Sequence, residues 1–325
     1  MKDPGKTLHK VRFYVANTLA YVLPDTLYRR RLDSKLNSMP RSDAGEIVRR
    51  VSYYNKLTAP FDLGGKGVRV GSLRLGKNSS YFFDLHRVVR HFDPDKPMAY
   101  LFGDITHVPE VPTLLKSRPV EGDNRNSVLL KLDSMRHFRF LRDCQPYSQK
   151  KDIAVWRGNV HRKEARKRLI EMHSRTARCD IGDSDPKRAG QSGYKGFLSI
   201  KDQLACKFII SVEGNDVATN LKWIMASNSL CFMARPRFET WFMEGTLVPE
   251  FHYVALKDDY SDLEEKIEHY LSRPEEAEEI LRNARAYVRQ FQRRGQEELI
   301  SLLVVKKYLD LAGEGVGKGL FLTSS

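Results

Sequence analysis

Ile153-Ala154-Val155-Trp156-Arg157-Gly158-Asn159 is an apolar run of strand length that ends in an arginine, a glycine and an amide. A helical pattern follows over 163–174, with Arg162, Arg166 and Arg168 on it or at its start. Short apolar runs without alternation suit strands buried on both faces, as in a parallel sheet. The same order recurs downstream. A strand over 207–212 leads to Glu213-Gly214-Asn215-Asp216, a helix over 218–226 and a further strand at 230–233. Amphipathic helices over 261–271 and 275–291 complete the pattern, the second opened by Pro274. Strands alternating with helices predict a parallel α/β architecture.

Working outward, the N-terminal side is less regular. Residues 43–57 read as a helix, with Asp43 and Glu46 spaced as a capping box. Residues 60–80, rich in Gly and Ser, read as loops or a small hairpin. Met98-Ala99-Tyr100-Leu101-Phe102 reads as a buried strand stopped by Gly103-Asp104, and Val128-Leu129-Leu130 as another. The pattern pauses near 145–150 and resumes, so two α/β domains with a cleft between them are expected. Their bounds are drawn at 41–148 and 149–292. They are preceded by a basic amphipathic segment over 1–40 and followed by a C-terminal helix and tail over 293–325 that packs back on the first domain.

The chain of 325 residues carries 55 Lys+Arg against 41 Asp+Glu, a net charge of +14. Its 41% hydrophobic and 10% aromatic content excludes a mainly disordered chain. Residues 1–200 hold 39 basic and 21 acidic side chains, a balance of +18, and the remainder is slightly acidic. An anionic partner is expected for the first part: nucleic acid, a lipid surface or a phosphorylated substrate. No zinc-finger spacing or ribonucleoprotein-type aromatic strand occurs, so no nucleic acid is expected, and a non-catalytic nucleic-acid-binding protein stays as the alternative from a different class. The four cysteines form no C-x-x-C pair and suit free thiols in a reducing compartment. No apolar run approaches the roughly 18 residues of a membrane span, and no secretory signal pattern opens the chain, so a cytoplasmic location is expected.

Leu8, Val11, Val15, Leu19 and Val22 recur at helical spacing, with Phe13, Tyr14 and Tyr21 alongside. Pro24 ends the run and Arg29, Arg30 and Arg31 follow. The segment reads either as an anchor on an anionic membrane surface or as a helix packed on the body of the protein.

In open α/β sheets ligands sit beyond the carboxyl ends of strands, near helix N-termini. Three places qualify: Trp156-Arg157-Gly158-Asn159, Val212-Glu213-Gly214-Asn215-Asp216 with Thr219, Asn220 and Lys222 beyond it, and Phe102-Gly103-Asp104. Glycine lets the backbone approach a phosphate and arginine can grip it bidentately. Solvated helix arginines, capping by Asn215 or Asp216, and a turn role for Asp104 are the structural alternatives. No metal site is expected, because Asp93-Pro94-Asp95 and Asp183-Ser184-Asp185 each adjoin a proline in a polar stretch and read as turns. No Walker A loop, G-x-S-x-G elbow or G-x-G-x-x-G fingerprint occurs.

Taken together, several of these segments resemble the lipopolysaccharide A protein-like glycosyltransferases (glycosyltransferase family 90), which include fungal capsule xylosyltransferases and animal protein O-glucosyltransferases. The resemblance is carried by Leu101-Phe102-Gly103-Asp104, Val108-Pro109-Glu110-Val111-Pro112, Lys116-Ser117-Arg118-Pro119, Val155-Trp156-Arg157-Gly158, Cys206-Lys207-Phe208-Ile209-Ile210-Ser211-Val212-Glu213-Gly214 and Ala218-Thr219-Asn220-Leu221-Lys222-Trp223. It implies a GT-B fold, with two Rossmann-like domains facing a central cleft, the first on the acceptor side and the second binding a nucleotide sugar. It also implies a UDP-sugar co-substrate, inversion at the anomeric carbon, and neither cofactor nor metal.

Residue by residue, the resemblance makes Asp104 the catalytic base. Arg157 with Gly158 falls on an Arg-Gly phosphate motif. Arg166 falls on a second donor arginine, with Arg162 as its alternative. Lys222 stands where animal relatives carry a diphosphate-facing arginine. Glu213, Gly214 and Asn220 fall in the donor loop, and Lys116 and Arg118 are acceptor-side candidates. Should Asp104 serve only as a turn residue, Asp123 and Glu121 are the next carboxylates. One carboxylate suffices to take the acceptor proton, and cationic side chains with a helix N-terminus can stabilise departing UDP without a metal. The expected acceptor is a lipid-linked glycan, foremost the lipopolysaccharide core, with capsule or another polysaccharide as the alternative. The expected place of work is the inner face of the cytoplasmic membrane, peripherally.

Overall fold

A computed structural model describes residues 4–37 and 43–313 and divides them into two units. The first takes Pro4–Arg136, Arg237–Glu244 and the chain from Phe291 onward; the second takes His137–Pro236 and Gly245–Gln290.

The first unit opens with helices α1 (Pro4–Val22), α2 (Asp25–Arg29), α3 (Leu32–Leu36) and α4 (Ala44–Tyr54). Asp43 precedes α4 but gives no side-chain cap hydrogen bond, so the expected capping box does not form. Beyond lie β1 (Val68–Arg69), α5 (Ser79–Val89), β2 (Pro97–Met98), β3 (Thr113–Leu115), β4 (Ser117–Pro119), β5 (Ser127–Leu129) and a short α6 (Ser134–His137). β1 pairs antiparallel with β2, β3 pairs parallel with β5, and Tyr100 makes an isolated parallel bridge to Leu114.

A continuous strand over 98–102 is therefore corrected to a two-residue strand, one bridge and irregular chain. Gly103 turns the backbone at φ 120°, and Pro109 and Pro112 remove N–H donors that a longer ladder would need. Among the described residues this unit contains only two-stranded ladders, in place of the wider sheet expected from the sequence.

In the second unit β6 (Lys151–Gly158) is followed by α7 (Glu164–His173), β7 (Cys179–Asp183), α8 (Ile200–Gln203), β8 (Cys206–Ile210), α9 (Leu221–Met225) and β9 (Leu230–Met233). The chain then returns to the first unit as β10 (Phe238–Thr240), which pairs antiparallel with β4. It re-enters the second unit with β11 (Val254–Ala255), α10 (Leu263–Ser272) and α11 (Pro274–Arg289). The sheet order is β11-β9-β8-β6-β7 with every neighbouring pair parallel. Ranked by chain position the strands run 2-1-3-4-5, the flavodoxin-like doubly wound order, whose switch point lies between β6 and β8. Its core gathers Ala154, Trp156, Ile181, Phe208 and Phe232 with Leu169 of α7 and Ile280 and Leu281 of α11.

The last helix, α12 (Arg294–Leu311), belongs to the first unit. Its Glu297 accepts from buried Arg50 at 2.5 Å, from Lys131 at 2.6 Å and from the indole of Trp241 at 2.8 Å, and Trp241 stacks on Tyr54 at 3.8 Å. The sequence reading drew the boundaries at 148/149 and 292/293; the units divide at 136/137 and 290/291, with 237–244 assigned to the first.

Candidate active site

The chain reverses its winding direction between β6 and β8, so their carboxyl ends diverge into separate loops with room beyond them for a ligand. Two of the three sequence candidates lie there, and Arg166 joins them. This side chain, on the first turns of α7, donates to Asn159 O after β6 at 2.9 Å and to Val212 O and Glu213 O after β8 at 3.2 Å each. Its guanidinium lies 5.8 Å from the centre of the Trp156 ring, and burial pulls its pKa below the usual arginine value. Lys163 adds a second tie across the same gap by donating to Asn215 Oδ1.

The glycines are required by close approach. A Cβ on Gly158 would come within 2.5 Å of the buried Trp156 ring, and one on Gly214 within 3.3 Å of Arg166 Nη2. Two bare backbone turns, fixed by a half-buried cation at the edge of a parallel sheet, are suited to an anionic ligand.

Arg157 is nearby but already engaged. It donates to Asp180 Oδ1 at 2.6 Å, to Asp180 O at 2.6 Å and to Trp156 O at 3.0 Å, while its buried Nε has no hydrogen-bond partner. Asp180 sits on β7 opposite Val155, with Lys195 at 3.3 Å, and the two cations hold its carboxyl below the usual range despite partial burial. Arg162 is exposed at φ 54° and stands outside this arrangement.

Three further expected ligand residues are buried or engaged within their own units. Lys222 is fully buried on α9, all five of whose residues are buried, so it presents no ammonium to solvent. Asn220 donates to Ile210 O and accepts from Ser211 Oγ, both at 3.1 Å, and so shapes the end of β8. Arg118, in the first unit, is also fully buried. It pairs with Glu239 at 2.7 Å and donates to the carbonyls of Tyr53, Tyr54 and Ser127, which makes it a structural post of the β4–β10 ladder.

Asp104 lies in the first unit, in the irregular chain after the Tyr100 bridge. Its carboxylate is 22% exposed and pairs at 2.5 Å with the buried ammonium of Lys116. Lys116 lies 5.9 Å from the centre of the Tyr81 ring, whose phenol burial pushes up to about 12. Asp133 is close by, its carboxyl raised by burial and by Asp104 against the opposing effects of Arg136, Ser80 and Lys116. Ser117 Oγ donates to Ile105 O at 3.1 Å and pins the following turn. A partly exposed carboxylate held by a buried cation is geometrically able to accept a proton. Glu121 and Asp123 stand on an exposed turn, where Asp123 pairs with Arg125 at 2.9 Å.

Sequence reasoning missed Asp180, Lys195, Tyr81 and Asp133. Asp180 would have been found only by recognising β7. Among the described residues no group of three or more His, Cys, Asp or Glu side chains is placed to hold a metal ion. Asp93-Pro94-Asp95 is a turn in which Asp93 accepts from Asp95 N, whereas Asp183 ends β7, accepts from Asp185 N in the loop after it and pairs with Arg188 at 2.7 Å.

The second unit is thus a doubly wound α/β domain with an anion-suited edge at its switch point. Glycosyl transferase family 90 matches residues 133–296, which contain that unit. An O-glucosyltransferase LpsA of Dichelobacter nodosus is 44% identical over 306 residues, covering 93% of this chain and 96% of that protein. The chain belongs to glycosyl transferase family 90 and is a glycosyltransferase.

Proposed function

We propose that this glycosyltransferase transfers glucose from UDP-glucose to a hydroxyl of a lipopolysaccharide core, with inversion and without a metal ion. The observation that carries the donor half is the pair of glycine turns after β6 and β8, tied together by Arg166 at the switch point. The diphosphate lies against Gly158 and Gly214, with Arg166 and Glu213 framing the turn. Arg157 exchanges its Asp180 carboxylate, 38% exposed and able to turn to water, for a phosphate oxygen. The name of the Dichelobacter nodosus relative supports glucose and transfer to oxygen.

For the acceptor half, Asp104 takes the hydroxyl proton as the oxygen attacks the anomeric carbon from the face away from UDP, and Lys116 holds the carboxylate in place. UDP leaves with its charge met by Arg157, Arg166 and backbone N–H groups, the stabilisation that a metal supplies in other designs. A GT-B arrangement of the two units and a cytoplasmic location complete the reading. The test is release of UDP across a panel of UDP-sugars, with and without rough lipopolysaccharide. Acceptor-dependent release from UDP-glucose is expected; release from no UDP-sugar would overturn the proposal.

A further inference from the structure

Helix α1 uses two opposite faces. On one, Tyr14 Oη lies 3.0 Å from Ser79 Oγ, and Phe13, Tyr14 and Tyr21 make edge contacts with Phe82, Phe83 and His86 of α5. On the other, Leu8, Val11, Val15, Leu19 and Val22 form an aliphatic stripe that is 53–76% exposed, and exposed Leu23 and Leu27 extend it past Pro24. A helix that packs through aromatics and presents aliphatics to water is the reverse of an ordinary surface helix.

The turn into α2 is rigid. Arg90, itself buried, donates to Ala20 O at 2.8 Å and Leu23 O at 2.6 Å, pairs with Asp25 at 2.6 Å and lies 3.7 Å from the centre of the Tyr28 ring. The same two helices and the turn after them expose Lys10, Arg12, Arg30 and Arg31, with Arg29 partly exposed. Among the described residues no helix is long and apolar enough to cross a membrane.

We infer that the α1–α2 elbow is a docking surface for an anionic lipid bilayer, lying in the headgroup plane with its aliphatic stripe inserted. Charge complementarity selects this occupant. A second copy laid on the stripe would bring like-charged arginines together, whereas each basic side chain gains roughly fivefold in affinity from an anionic surface. The two sequence readings of this segment, anchor and packed helix, are then both true, one for each face. The inference rests on the proposed function only in the choice of a membrane-borne acceptor, and its test uses no catalysis.

The experiment is flotation of the full chain with phosphatidylcholine vesicles, with and without phosphatidylglycerol, and with UDP titrated in the same samples. Binding that requires phosphatidylglycerol and falls with salt is expected. Leu8→Ser/Val15→Ser/Leu19→Ser should lose at least tenfold, and Arg29→Gln/Arg30→Gln/Arg31→Gln about a hundredfold, with circular dichroism unchanged because these side chains are exposed, Arg29 partly so. No phosphatidylglycerol-dependent binding by the parent, or equal binding by both variants, would overturn the inference. So would a parent dimer that the aliphatic substitutions dissociate with no change in flotation. Failed flotation with intact UDP binding defeats the docking surface alone; intact flotation without UDP binding defeats the donor reading alone.

Discussion

Replacing Arg166 with alanine removes a side chain that touches both glycine turns. Its bond to Asn159 O, at 2.9 Å, is a normal charge-assisted hydrogen bond worth about 1.5–3 kcal/mol, whereas the two at 3.2 Å are at the long end and count for about 0.5–1.5 kcal/mol each. Water can reach some of the abandoned carbonyls and the three bonds do not add independently, so about 2–4 kcal/mol is a reasonable net loss. The sheet core lies on Ala154, Trp156 and Phe208 and does not depend on this guanidinium, so the loss falls on the turns. If the turns must be closed to hold the diphosphate, that energy is drawn from binding, and UDP affinity should fall about 30- to 1000-fold. Isothermal titration of UDP into parent and Arg166→Ala, with thermal melts of both, is the assay. A folded variant that binds UDP within threefold of the parent would refute the reasoning, because the turns would then not be the donor cradle.

Other perturbations have definite outcomes. Gly158→Ala places a Cβ 2.5 Å from the buried Trp156 ring and should cost about 1–3 kcal/mol, seen as a melting point lower by roughly 3–10 °C; an unchanged melt would show that the ring yields freely. Burial, reinforced by Arg90 and opposed by Asp25, holds the His86 imidazole at about 4 against an ordinary 6.5. The unfolded chain therefore takes up this proton first as pH falls. Stability from neutral His86 is complete above pH 6.5 and is lost towards pH 4, on the order of 2–3 kcal/mol in total. His86→Phe should flatten the pH dependence of the urea midpoint between pH 7 and 4.5, and parallel profiles for parent and variant would contradict this. Transfer should persist in excess EDTA; strict dependence on added manganese or magnesium would contradict the metal-free chemistry.

The parallel sheet was legible where strands are buried on both faces. Ile153–Trp156, residues 207–212 and 230–233 read as strands because apolar residues dominate them, and they lie in β6, β8 and β9 with only short differences at the ends. β7 was not legible: Cys179-Asp180-Ile181-Gly182-Asp183 places only Cys179 and Ile181 on the core face, while Asp180 answers Arg157 on the other. The strand read over 98–102 failed for a different reason. Apolar content shows that a segment is buried but not that it has a ladder partner, and within 98–102 only Met98, opposite Val68, and Tyr100, bridged to Leu114, find one. Among candidate residues, the glycine turns were readable because glycine marks close backbone approach. The burial of Arg118 and Lys222 was not legible, because a cation's charge is visible in sequence whereas its burial is decided by distant partners such as Glu239 for Arg118.

The most direct measurement is transfer from UDP-glucose to rough lipopolysaccharide by Asp104→Asn, with UDP affinity measured on the same preparation. The substitution keeps the size of the side chain and removes its capacity to hold a proton, together with the charge that pairs with Lys116, so a thermal melt of the variant accompanies the assay. Turnover lower by about 10²–10⁴-fold, with UDP affinity within twofold of the parent, is the result expected of a base that acts only in the transition state. Near-normal transfer by the folded variant would contradict the assignment and return Asp104 to the role of a turn residue paired with Lys116.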